Sequence, residues 1–157
     1  MSVDTKSVSG RRQLHFDTID DILAEVERLN QGKVRNLGNW SPGQVLMHIS
    51  RVMNGSLDGI ALRVPWWIRF FARLFKKRFL KGPMPAGFRL PDEAAKTLVP
   101  GETSWEEGLQ ALRQAIGRLK TESQRFPSPV MGEMTAAEWN QLHCRHSEMH
   151  LSFLVPD

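Results

Sequence analysis

The chain has 157 residues, 41% of them hydrophobic and 24% charged, with a formal net charge of +4. That length suits one domain with one sizeable core, and that balance excludes a fibrous or wholly disordered chain. One cysteine, Cys144, excludes an intrachain disulfide and fits a reducing compartment, so the expected location is cytoplasmic.

Residues 1–13, MSVDTKSVSGRRQ, are polar and lack the apolar core of a signal peptide. They read as a disordered tail ahead of a single domain over residues 14–157. FDTIDDILAEVERLNQG predicts a first helix, with Asp17 or Thr18 as its cap. Ile22, Val26 and Leu29 recur there at helical spacing, and Gly32 stops it. NWSPGQVLMHISRVMNGSLDGI predicts a second helix running to about Ile60. Ser41 is its N-cap, Pro42 its first residue, and Gln44 completes a capping box.

WWIRFFARLFKKRFLK, residues 66–81, predicts a third helix with six basic residues and no acidic one. The rest of the chain carries 15 basic against 17 acidic residues, so the positive charge is one local feature. That argues against a nucleic-acid binder, whose basic surface is broader. The expected arrangement packs the aromatics on the bundle and leaves the basic side in solvent. Binding of this segment to a lipid surface is the alternative. No run approaches the length of about 18 apolar residues that crosses a bilayer, and no membrane partner is expected.

Pro83, Pro85, Pro91 and Pro100 punctuate residues 82–101, which read as a long, Pro-rich irregular connection of the kind that forms lids. TSWEEGLQALRQAIGRLKTESQRF predicts a fourth main helix, capped by Ser104 and Glu107, with Gly108 and Gly117 either weakening it or allowing close packing. MTAAEWNQLHCRHSEMHLSFL predicts the last, capped by Thr135 and Glu138. No stretch alternates as a strand would. The expected class is all-α: a four-helix bundle with an extra helical segment.

Three of the five histidines fall in LHCRHSEMHL. At about 100° per residue, His143, His146 and His150 lie within roughly 60° of one another, beside Trp139, Leu142, Phe153 and Leu154. They therefore face inward, whereas Cys144 and Glu148 point elsewhere. A lone inward histidine is usually a hydrogen-bonded core residue. A pair at i, i+4 needs partners for four ring nitrogens in a desolvated place, and one divalent metal serves two of them. His48, inward on the second helix, can bring a third nitrogen. Three protein ligands leave one position open, as catalytic zinc sites do. His143 is the spare, and Gln44 and Arg51 lie near the face of His48, where they could orient substrate. Gly55 and Gly59 on the same helix could leave room beside the metal.

NWSPGQVLMHIS and EWNQLHCRHSEMHL, in this order, resemble the DinB-like (YfiT-like) superfamily of metal-binding four-helix proteins, and within it a branch described only as a domain of unknown function. FDTIDDILAEVERL, the PMPAGF loop and EEGLQALRQAI extend the likeness over about residues 14–155. The resemblance implies a bundle whose connections differ from simple up-and-down order. It implies zinc or nickel held by three histidines, which match His48, His146 and His150. Some members are transferases or isomerases that use a low-molecular-weight thiol as cosubstrate. Many relatives in this branch carry Gln three residues after the last ligand, where this chain has Phe153.

The function expected first is a metal- and thiol-dependent S-transferase for a small-molecule substrate. A metal-dependent hydrolase is the second reading. A non-catalytic metal-binding or stress-response module is the third. A homodimer is open.

Overall fold

The computed structural model describes residues 2–87 and 91–157. Among these are seven helices and one two-stranded sheet: α1 (Ile19–Leu29), β1 (Val34–Asn36), α2 (Pro42–Asp58), α3 (Trp66–Leu74), α4 (Lys76–Lys81), α5 (Asp92–Leu98), α6 (Trp105–Thr121), α7 (Ala136–Leu151) and β2 (Leu154–Pro156). The protein is mostly helical. The four longest helices start at side-chain caps. Thr18, Ser41, Ser104 and Thr135 each accept from the backbone three residues on, and Asp21, Gln44, Glu107 and Glu138 return the bond. Each cap contributes about 1 kcal/mol by satisfying donors the helix cannot.

Helices α1, α2, α6 and α7 enclose the main core, built on Ile22, Val26, Leu46, Ile49, Leu112 and Leu151. A second cluster lies at one side, where Ala72 of α3 and Leu80 of α4 meet Met131, Met134 and Trp139.

A close backbone approach sets where α2 begins. A Cβ on Gly43 would lie 2.3 Å from the carbonyl oxygens of Thr103 and Ser104, and one on Gly108 2.6 Å from the Gly43 carbonyl. Here α2 and the start of α6 touch backbone to backbone, and only glycine permits it. Gly117, further along α6, is exposed with nothing near its missing Cβ. Gly117→Ala should therefore stabilise the protein by about 0.5–1 kcal/mol, through helix propensity alone. A rise of roughly 2 °C in the thermal midpoint would show it.

Four features depart from the sequence expectations. First, β1 and β2 pair antiparallel, Val34 with Pro156 and Asn36 with Leu154, although no strand was expected. Second, the predicted third helix breaks at Phe75 into α3 and α4.

Third, its aromatics do not pack on the bundle. Exposure runs from 79% at Trp66 to 48% at Phe79, with Trp67, Phe70, Phe71, Leu74 and Phe75 between. The contact with the body passes through Ala72 and Leu80 instead.

Fourth, the Pro-rich connection contains α5, a run of helix-favouring residues that starts after Pro91 and ends before Pro100. Phe88, Arg89 and Leu90 of that connection lie outside the described residues.

Arg11 and Arg12, in the segment read as a tail, reach the end of α7. Arg12 pairs with Glu25 and donates to the Leu151 carbonyl, and Arg11 donates to Ser152 and Met149. No helix of the described residues is long and apolar enough to cross a membrane.

Candidate metal centre

The capping box at Ser41 fixes the start of α2, and seven residues on it brings His48 into the core. The box at Thr135 does the same for α7, whose i, i+4 spacing sets His146 and His150 one turn apart. The two helices pack together. As a result, one ligand nitrogen from each of His48, His146 and His150 lies within 4.8 Å of the others. Ring centroids are 5.1 Å apart for His48–His146, 4.6 Å for His48–His150 and 4.5 Å for His146–His150. The three could hold a metal ion. Among the described residues no fourth histidine, cysteine or carboxylate joins this cluster.

The hydrogen bonding fits a cation. The Leu98 carbonyl can only accept, so the proton of His48 sits on Nδ1, which donates to it over 2.8 Å. That leaves the lone pair of His48 on Nε2, 3.2 Å from Nε2 of His146. His146 Nδ1 is buried with no protein partner. Burial pushes all three pKa values below the ordinary histidine range, His146 and His150 well below it, with the neighbouring imidazoles adding to the effect. Arg51 adds to it for His48, as does Arg11 for His150. The rings are thus held neutral, the form that ligates.

His143 lies apart from this trio. It stacks on Trp139 at 5.5 Å, and its Nε2 lies 3.1 Å from Ser56 Oγ. Ser56 spends its own proton on the Met53 carbonyl, so His143 Nε2–H donates to it. Burial, then the charge of Arg125, pushes its pKa down to about 3.

Gln44 and Arg51 are committed to backbone. Gln44 closes the α2 cap with Oε1, and Nε2 donates to Pro100 and Gly101 carbonyls. Arg51 donates to the carbonyls of Thr97 and Val99, each at 3.1 Å. With His48 on Leu98, a stripe at positions 44, 48 and 51 of α2 grips the chain from Thr97 to Gly101. The last carbonyls of α5 have no helical partners and find them here.

Arg51 also lines a cleft of about 320 Å³ with Asn54, Asp58, Thr97 and Leu98. The glycines expected to make room for the metal do something else. A Cβ on Gly55 would strike Ile60 at 2.5 Å, and Gly59, with φ +92°, caps α2 against Phe126.

Two participants escaped the sequence reading. Trp40 stacks on His150, with centroids 5.5 Å apart and an 8° interplanar angle, and leans on His48 at 4.8 Å. Asn36 sets it there by bonding the Gly38 and Trp40 carbonyls. The only sequence signal was its place beside the Ser41 cap. Arg11 lies over the Phe153 ring, 4.2 Å from its centroid, and covers that end of α7. Phe153 is buried against Gly38 and offers no polar atom.

Compared with known families, residues 8–157 match the family described as "Protein of unknown function (DUF1569)". The chain belongs to the DUF1569 family. No curated protein and no solved structure matches it. The family match spans both histidine helices, and it begins inside the segment that carries Arg11 and Arg12.

On the opposite face of α7, Cys144 is buried, and burial pushes its thiol up to about 11. Arg145 and Glu148 form a buried ion pair of 2.7 Å there and clamp the backbone of Phe16. These groups hold α1 and α7 together and lie off the histidine cluster.

Proposed function

We propose that this DUF1569 chain is a divalent-metal-dependent enzyme with a DinB-like four-helix bundle. In this reading it is a cytoplasmic thiol-dependent S-transferase acting on a small electrophile. His48, His146 and His150 are its ligands, and zinc or nickel its metal. One observation carries the reading: three imidazoles converge, and among the described residues no fourth histidine, cysteine or carboxylate joins them. A structural zinc site closes its coordination with protein, whereas a catalytic one keeps a position for substrate.

A divalent cation there supplies the Lewis acidity that keeps a cosubstrate thiol ionised near neutral pH. The chain's own residues supply position. The Leu98 carbonyl fixes the tautomer and ring plane of His48. Trp40 walls the histidines with an indole face, which keeps competing water from them. Arg51 holds the segment Thr97–Val99, and with it the Leu98 carbonyl that orients His48, against α2. In the transfer a sulfur–carbon bond forms, the leaving group departs with its electron pair, and the thiol proton goes to solvent. Cys144 takes no part, because a buried thiol with a raised pKa is a poor nucleophile.

The test is turnover of a chromogenic aryl halide with and without zinc or nickel and a low-molecular-weight thiol. Activity should require both metal and thiol, and Cys144→Ser should retain it within about twofold. Loss of activity in Cys144→Ser, with fold and metal content intact, would contradict the reading. Metal-dependent ester hydrolysis indifferent to thiol would replace it with hydrolase chemistry.

A further inference from the structure

Helix α3 is amphipathic in the wrong sense for a core helix. At about 100° per residue, Trp66, Phe70, Leu74, Trp67 and Phe71 fill one arc of roughly 140°. All five are exposed, and Phe75 and Phe79 continue the apolar surface into α4. The side turned to the body offers only Ala72 in α3 and Leu80 in α4 as buried residues. The pair of helices is thus mounted by a narrow contact, with its broad apolar face outward. Six clustered aromatics and a leucine in water exceed the scattered apolar exposure of ordinary surfaces and mark a binding face.

Charge selects the occupant. Residues 66–81 hold Arg69, Arg73, Lys76, Lys77, Arg78 and Lys81 with no carboxylate. Lys76 is tied down by Glu138 at 2.8 Å and by the Glu133 carbonyl. Arg69, Lys77, Arg78 and Lys81 are exposed and make no ion pair among the described residues. On the wheel Arg69 and Arg73 border the aromatic arc; the Arg73 guanidinium lies against Gly132, and Arg69 can extend past the apolar boundary to an anionic layer. A second copy is a poor fit. A two-fold contact would set this face against itself, cation against cation. An anionic bilayer matches both parts: tryptophans suit its interface, and its headgroups supply the missing negative charge.

We propose that α3 and α4 dock the protein in the plane of an anionic membrane surface, with Trp66, Trp67, Phe70 and Phe71 inserted and the basic residues on the headgroups. The segment lies on the bilayer and does not cross it, in keeping with the absence of a spanning helix among the described residues. The docking stands independently of the metal chemistry.

The test is co-sedimentation of the untagged full chain with phosphatidylcholine vesicles, with or without about 30% phosphatidylserine, at physiological salt. The protein should pellet with the anionic vesicles and its tryptophan emission should shift to the blue. Neutral vesicles should bind it at least about tenfold less, and added salt should release it. Trp67→Ala/Phe70→Ala/Phe71→Ala should lose binding by more than about tenfold, with its melting curve unchanged because these side chains are exposed. Lys77→Glu/Arg78→Glu/Lys81→Glu should abolish the preference for phosphatidylserine. Protein remaining in the supernatant at saturating anionic lipid would overturn the proposal, as would equal binding to neutral vesicles. A dimer in sedimentation velocity that the triple alanine variant dissolves, without lipid binding, would assign the face to self-association instead.

Discussion

His48→Ala and His146→Ala should each weaken zinc or nickel binding by more than about 100-fold, and His143→Ala should weaken it far less. Changes to residues that only orient a ligand typically cost 10–100-fold, so removing a ligand costs more. His48 has an added reason to matter, because its Nδ1–H bond to the Leu98 carbonyl pre-sets the lone pair that faces His146. His143 instead bonds Ser56 and stacks on Trp139. Its loss opens a hole in the core and should lower stability without moving the three nitrogens. Competition titration against a chelating dye reads all three variants. Equal losses in all three would move His143 into the site.

Gly43→Ala should cost about 3 kcal/mol, a fall of roughly 6–12 °C in thermal midpoint. The added methyl would meet the Thr103 and Ser104 carbonyls at 2.3 Å. Both are backbone atoms, so no side chain can swing aside, and the start of α2 must retreat from α6. The same substitution at Gly117 meets nothing. Opposite signs at the two glycines would locate the contact by thermal denaturation alone. Because α2 carries His48 five residues after Gly43, Gly43→Ala should also weaken metal binding. A Gly43→Ala protein as stable as the parent would contradict the close approach.

The sequence was most legible where structure is local. The three expected capping boxes, at Ser41, Ser104 and Thr135, each form as their spacing predicts. Of the two caps offered for α1 it is Thr18 that serves, in a box with Asp21 that escaped the sequence reading. The histidine trio was legible because helical periodicity sorts His48, His146 and His150 inward. The sheet was not, because its three-residue strands are too short to alternate and their pairing spans most of the chain. Helix α5 hid between prolines. For α3 the pattern revealed an apolar face, but the expectation that it packs on the bundle failed, because periodicity does not say which way such a face turns, and the protein leaves it bare. Trp40 and Arg11 reach the site only through tertiary contacts, which no spacing rule encodes. Gln44 and Arg51 lie on the face the wheel assigned, but their bonding capacity goes to the Thr97–Gly101 backbone.

The central claim is that His48, His146 and His150 hold one divalent cation. Elemental analysis of protein purified without a histidine tag and incubated with zinc or nickel tests it most directly. About one tightly held ion per chain is predicted, with nickel or zinc retained over manganese as expected for nitrogen ligands. Less than about a tenth of an equivalent after loading, or full occupancy in His48→Ala, would contradict it.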